Sequence, residues 1–305
     1  MTEFLAAHKQ TIGILLGVLA GMAARLYMLH TDYRQYPTYP HGRIIHISLG
    51  VIAAALGAVA VPALLNKDYT AITFLALAAQ QFRDVRKMER ETLTVIDRLE
   101  LVPRGATYIE GIAMVFEGRN YLVILAAFTT SLAAILWEWY AGIGAALLML
   151  LAVRQLRSGK SISHIASASV AKVRQDGPDL FVDDIYMMNV GLEVNQGIIR
   201  ERGIGIVLTP YNPNGKATIS NLGQRQAILY DLSTLLGVYR DEGEPALVPL
   251  AKLDMKDGRL AIFMLPQEKN ESKAREIVER VPILESAVRM PTEAGVNHKE
   301  GRASG

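Results

Sequence analysis

Between Thr11 and Val153 the chain is a series of long apolar runs separated by polar breaks, the longest of them the charged stretch 83–104; beyond Lys160 apolar and polar positions alternate over much shorter distances. Residues 11–29 and 44–65 are each long enough to cross a hydrocarbon layer, which takes about 20 apolar residues. Residues 69–82 lead without a helix breaker into 80–91, where charges of both signs recur at helical spacing. This pattern predicts one helix that starts in an apolar environment and continues as a solvated one. Residues 121–137 and 141–153 predict an antiparallel hairpin turned by Glu138, Trp139 and Tyr140, a composition suited to a membrane interface. The runs together predict an all-α membrane bundle of about five transmembrane helices over residues 1–157.

After the bundle the period changes. Residues 166–174 and 180–188 predict a hairpin around Gln175, Asp176, Gly177 and Pro178, within a connecting segment 158–202. From residue 203 the order becomes strand 205–208, helix 221–236, strand 246–253, strand 260–265, helix 272–280 and strand 283–290. That β-α-β-β-α-β order predicts a soluble α+β domain of the ferredoxin-like type over residues 203–290. Residues 291–305 are polar and aperiodic, and a disordered tail is expected.

One stretch of the N-terminal half stands apart. Residues 106–120 form an apolar helical run interrupted by Glu110 and Glu117. At 100° per residue the two carboxylates share nearly one azimuth, two turns apart, beside a stripe of Ile109, Ile112, Ala113 and Phe116. An apolar helix of roughly 11 residues reaches only about 16 Å, so a short re-entrant or interfacial helix is expected rather than a span. Pro103 and Gly105 should break the preceding helix.

Composition narrows the chemistry. There is no cysteine, which excludes disulfides and thiolate metal sites, and a formal charge of +2 offers no field for nucleic acid. The first apolar run is read as an uncleaved membrane helix rather than a secretory signal. Basic residues between Arg83 and Arg104, with Arg154, Arg157 and Lys160, place those segments in the cytoplasm, leaving the N-terminus outside and the C-terminal domain inside. Gly13, Gly17 and Gly21 recur at four-residue spacing and would let another helix approach closely, a second copy of the chain included. Arg25 continues that face; it either snorkels to the interface or finds a buried carboxylate.

Several other patterns lead nowhere catalytic. The loop 30–43, rich in Tyr33, Tyr36, Tyr39, Pro37 and Pro40, suits a rigid interfacial turn. His41 and His46 are five residues apart and do not face each other on a helix, so no metal site is expected. Residues 214–218 spell half a phosphate-binding loop, but Pro210 stands where its first glycine belongs and Ala217 replaces the hydroxyl a metal would need. Ser161, Ser163 and His164 lack an orienting carboxylate, and Asp183 and Asp184, read as strand neighbours, would point to opposite faces. No cofactor is implied.

Two functions from different classes remain. In one, the protein is a membrane scaffold or regulator coupling the bundle to a cytoplasmic ligand- or partner-binding domain. Glu110 and Glu117 are then structural, paired with Arg25, Arg86 or Arg119. In the other it is a membrane-embedded hydrolase, an intramembrane protease, with Glu110 and Glu117 as general acid and base. The second lacks a histidine-based metal set and the adjacent Glu-Glu pair of glutamate-type intramembrane proteases. A transporter fits less well, for want of an internal repeat.

Residues Tyr108-Ile109-Glu110-Gly111-Ile112-Ala113 spell the hexapeptide that names the YIEGIA family, and the flanking residues 86–93 and 101–106 also resemble that family. The resemblance covers the chain from residue 1 to about 290. It implies a sporulation-linked membrane protein of spore-forming Firmicutes, in the forespore or spore membrane, acting with a small protein partner subunit. It marks Glu110 as the motif carboxylate; Tyr108 joins Arg25, Arg86 and Arg119 as a structural or partner-binding candidate.

Overall fold

A computed structural model describes residues 8–32, 40–156, 159–241 and 244–288. The expected aromatic loop at Tyr33, Tyr36 and Tyr39, the basic residue Arg157 and the polar tail lie outside these residues. The chain divides into two compact units, one of Met1–Glu91 with Ile112–Arg157, the other of Thr92–Gly111 with Ser158–Gly305.

The first unit is helical. It holds α1 (Lys9–Asp32), α2 (Pro40–Leu65), most of α3 (Tyr69–Asp97), most of α4 (Ala106–Leu136) and α5 (Trp139–Leu156). Among the described residues, four helices are long and apolar enough to cross a membrane: Lys9–His30, Gly42–Leu65, Ala106–Leu136 and Trp139–Leu156, of 22, 24, 31 and 18 residues. The run 69–82, expected as a further span, belongs to an α3 whose polar second half keeps it out of that set.

The separate short helix expected at 106–120 is corrected outright. It is the first half of α4, which continues without a break through residues 121–136. Gly118, Arg119 and Asn120 looked like a polar boundary, but Arg119 and Asn120 are buried and the break contains no proline. A buried arginine with a partner costs a helix no hydrogen bonds, and one exposed glycine costs only about 1 kcal/mol of propensity.

Small residues set the spacing of the bundle. A Cβ on Gly17 would stand 2.7 Å from the Ala127 carbonyl oxygen and 3.0 Å from the Ala58 methyl; one on Gly21 would stand 2.7 Å from the Ala54 methyl. A Cβ on Gly13 would meet the Ile135 side chain. The glycine face, expected to let another helix approach closely, is met by helices of the same chain. The contacts also give the directions. Lys9 lies 3.7 Å from Glu138, while Ser131 donates to the Ala58 carbonyl at 3.1 Å, so α1 runs against α4 and α2 runs with it.

The second unit is α+β. Its main sheet is antiparallel in the order β1 (Ala166–Ala171), β5 (Ile204–Pro210), β9 (Leu260–Met264) and β8 (Leu250–Leu253). A smaller sheet of β2 (Val173–Asp176), β3 (Asp179–Val182) and β4 (Ile185–Asn189) packs against one face. Leu180, Val182, Ile185 and Met187 meet Val207, Ala261 and Phe263 there. The chain also forms α6 (Glu193–Arg202), α7 (Pro213–Ser220), α8 (Leu222–Leu236), a short pair β6 (Arg240–Asp241) and β7 (Glu244–Pro245), and α9 (Glu271–Arg280). Helix α9 packs on β1, β5 and α8.

Of the strand expected at 283–290, the described residues 283–288 form none, and β1 occupies the sheet edge beside β5 instead. Pro282 explains the failure: it makes one isolated bridge with Ser161, and without an N–H it cannot extend a ladder. The backbone here turns to the buried Gln224 side chain, which donates to the Pro282 carbonyl at 3.0 Å and accepts from Leu284 N–H at 2.8 Å. A 3₁₀ turn, Glu285–Ala287, follows. The expected hairpin also differs. Its first strand breaks at Lys172, and its second breaks at Asp183, which adopts a positive φ of 59°.

Candidate functional site

Buried charge in the helical unit gathers around Phe116, Glu117 and Arg119 of α4. Arg25 has no exposed surface. Its Nη1 lies 3.7 Å from Asp32 Oδ2, its Nε donates to the His46 carbonyl at 3.3 Å, and its guanidinium sits 4.8 Å from the centre of the Phe116 ring. Arg25 and Asp32 are seven residues apart on α1, hence on one face two turns apart. Arg119 Nε donates to the other oxygen of Asp32 at 3.2 Å. One carboxylate thus serves two buried guanidinium groups, and snorkelling, one of the two fates open to Arg25, is not what occurs.

Two further pairs lie at this end of the unit. His46 is buried, with Nε2 3.7 Å from Glu89 Oε1 and its ring centre 4.6 Å from that of Phe116. Arg86 Nη1 donates to Glu117 Oε2 at 3.3 Å, and the Tyr121 hydroxyl donates to Glu117 Oε1 at 3.3 Å. Of the candidates read from the sequence, the geometry therefore joins Arg86 to Glu117, and Arg25 to Arg119 through Asp32. Sequence reasoning missed Asp32 and Glu89. The signal for Asp32 was its seven-residue spacing from Arg25; Glu89 had none, because it sat among charges read as a solvated face.

The first four residues of the hexapeptide, Tyr108 to Gly111, belong to the α+β unit. Asp97 accepts the backbone N–H groups of Arg104 at 2.6 Å and Gly105 at 3.0 Å, closing the turn between α3 and α4. Gly105 takes φ +80°, a conformation a side chain would strain. The Arg104 guanidinium lies 3.9 Å from the centre of the Tyr230 ring, and Glu100 accepts from both Arg104 Nη1 at 3.4 Å and the Tyr230 hydroxyl at 3.1 Å. Burial raises the Tyr230 phenol above its ordinary pKa, with the neighbouring Arg104 pulling the other way. Tyr108 is buried in this unit and Glu110 is half-buried. Glu110 and Glu117 stand two turns apart on α4, about 10 Å along its axis.

The remaining patterns resolve into local structure. Asp183 and Asp184 form a turn rather than a strand, and both reach Arg259, which also binds Asp254 and Asp257. Hydrogen bonds to Arg259 hold the Asp184 carboxyl below its ordinary pKa. Ser161 Oγ lies 3.1 Å from His164 Nδ1 as part of a helix cap. The half phosphate loop is the start of α7, where Asn212 accepts from Gly215 N–H at 2.7 Å. Among the described residues no three His, Cys, Asp or Glu side chains gather as a metal ion would require.

Comparison with known proteins adds a family. The model of the family described as YIEGIA protein matches residues 13–294. The chain is similar to the Bacillus subtilis (strain 168) protein named "Uncharacterized protein YphB", at 58% identity over 280 residues covering 92% of this chain and 94% of that one. No solved structure matches.

Proposed function

The chain belongs to the YIEGIA family, and we propose that it is a multi-pass membrane scaffold or regulator whose helical unit anchors the α+β unit and recruits a partner. The observation that carries this reading is the pairing of Glu117 with Arg86 and Tyr121. A general acid or base must be free to approach and exchange protons with a substrate, whereas both oxygens of the Glu117 carboxylate are engaged by a guanidinium and a phenol that hold the group in place.

Insertion in a bilayer is supported by the outward face of the helical unit. Leu15, Leu19, Ile44, Ile52, Phe74 and Leu148 are all exposed, far more apolar surface than a water-soluble bundle leaves open. An N-terminus outside and an α+β unit in the cytoplasm follow from the positive-inside tendency. In the same sense, Lys9 lies beside Glu138, which precedes α5, while Arg154 lies in the last turn of that helix. In this reading the apolar start of α3 makes a fifth pass, alongside α4. The ferredoxin-like comparison is retained in a modified form, with β1 in the edge position otherwise held by a final strand. The forespore or spore membrane and a small protein subunit are the location and partner that the family resemblance points to, and the relative from Bacillus subtilis fits that setting.

Glu110→Gln and Glu117→Gln, introduced separately in the full chain, test the reading. A scaffold predicts lower levels in the membrane or loss of a co-purifying partner, with no membrane protein accumulating uncleaved. If both variants insert and hold their partner normally while cleavage of a co-expressed membrane substrate stops, the hydrolase reading replaces it.

A further inference from the structure

The α+β unit carries a cationic cleft that the scaffold reading does not use. It has a volume of about 340 Å³ and is lined by Val170, Ala171, Lys172 and Val173 where β1 passes into β2, by Arg200 and Gly203 at the end of α6, and by Lys269 and Glu271 at the start of α9. Three separate segments thus bring Lys172, Arg200 and Lys269 to one opening. Among the described residues none of these three cations has a carboxylate within ion-pair distance. Other basic residues nearby do: Arg174 lies 3.5 Å from Asp176, and Arg202 lies 3.9 Å from Glu201.

What holds Arg200 and Lys269 in place is backbone. Arg200 Nε donates to the Gln196 carbonyl at 3.3 Å, and Lys269 Nζ donates to the Glu201 carbonyl at 3.2 Å. The carbonyl end of α6 offers only about half a unit of negative charge, and the N–H end of α9 about half a unit of positive charge. Three cations against Glu271 and these two opposed helix ends leave a cleft with a charge of about +2. The charge, the fork of Arg200 and the two flexible ammonium groups suit a phosphate monoester, which carries about −1.5 to −2 at neutral pH. Val170, Ala171 and Val173 supply an apolar wall for whatever the phosphate is attached to. We propose that this cleft binds a phosphoryl group borne on an organic body, either a soluble phosphomonoester or a lipid headgroup.

The test uses the full chain in neutral maltoside micelles and in lipid nanodiscs, with hydrogen exchange of residues 170–173 and 269–271 as the readout. Glycerol 3-phosphate is titrated in micelles; nanodiscs of phosphatidylcholine alone are compared with nanodiscs containing phosphatidic acid, whose headgroup is a phosphomonoester. A saturable slowing of exchange by glycerol 3-phosphate, weakened by salt and shifted at least tenfold in Arg200→Ala and in Lys172→Ala with Lys269→Ala, supports a soluble ligand. Slowing only in phosphatidic acid nanodiscs, lost in the same variants, assigns the site to lipid. Absence of both effects in the unsubstituted protein overturns the proposal whether or not the variants fold, as does binding that survives removal of the three cations.

Discussion

A Cβ on Gly111 would collide with the hydroxyl oxygen of Ser286, so the start of the hexapeptide helix lies close against the Glu285–Ala287 turn through that side chain. Alanine would gain about 1 kcal/mol of helix propensity and lose a similar amount to the contact, since the serine hydroxyl can rotate away. Gly111→Ala should therefore melt close to the parent protein. Gly111→Leu should lose about 2–3 kcal/mol through overpacking, and Ser286→Gly should restore part of it. Thermal unfolding in micelles decides this; a leucine tolerated without loss would mean the contact is not tight.

Asp32 is the shared partner of Arg25 and Arg119, so Asp32→Asn should strand two buried cations at once. Removing one member of a buried ionic group typically costs about 3–5 kcal/mol. The variant should show a large drop in the denaturation midpoint and a reduced level in the membrane. A midpoint equal to that of the parent would show that the guanidinium groups are satisfied without this carboxylate.

Arg104→Lys keeps the charge but removes the flat guanidinium stacked on Tyr230. The expected loss is about 1–2 kcal/mol from the stacked contact. Tyr230→Phe retains the ring and gives up only the hydroxyl bonded to Glu100, for about 1 kcal/mol. Lysine should therefore be the more damaging change by chemical denaturation; the reverse order would assign the stability to the hydroxyl instead.

Arg259 holds the pKa values of Asp184 and Asp257 below those of an unfolded chain. Carboxyls with depressed folded pKa values stabilise above the unfolded value of about 4, and that contribution fades as pH falls through the lower folded values. The melting temperature of the α+β unit should rise from pH 2 to pH 5, and Arg259→Gln should flatten that rise. Parallel pH profiles for the two proteins would rule out this linkage.

Which parts of this structure could be read from the sequence depends on how local their causes are. The apolar runs of α1, α2 and α5 follow from patterns within a single element; the turn read at Glu138, Trp139 and Tyr140 falls slightly earlier, at Trp137 and Glu138, with Trp139 and Tyr140 opening α5. Arg119 did not: alone it reads as a helix end, and only Asp32, far away in the chain, makes it a buried residue of α4. Residues 283–290 read as a final strand, yet over the described residues 283–288 Pro282 and the side chain of Gln224 took the backbone elsewhere. Asp183 and Asp184 were misassigned because their turn depends on Arg259, some 75 residues on. The Arg86–Glu117 pair was foreseeable as chemistry, since both residues stood among the candidates, but no spacing within one helix links them.

The α+β unit is assembled from two stretches separated in sequence by residues 112–157. That has a consequence for biogenesis. As the chain leaves the ribosome, Arg104, Gly105 and Tyr108 emerge well before Tyr230 and Ser286, the residues that will flank this stretch in the finished unit. Such late, long-range closure is slow compared with local helix formation. The newborn segment 92–111 must wait with its tyrosine and arginine uncovered until the last third of the chain is made, and in that interval it is open to a chaperone or to another protein.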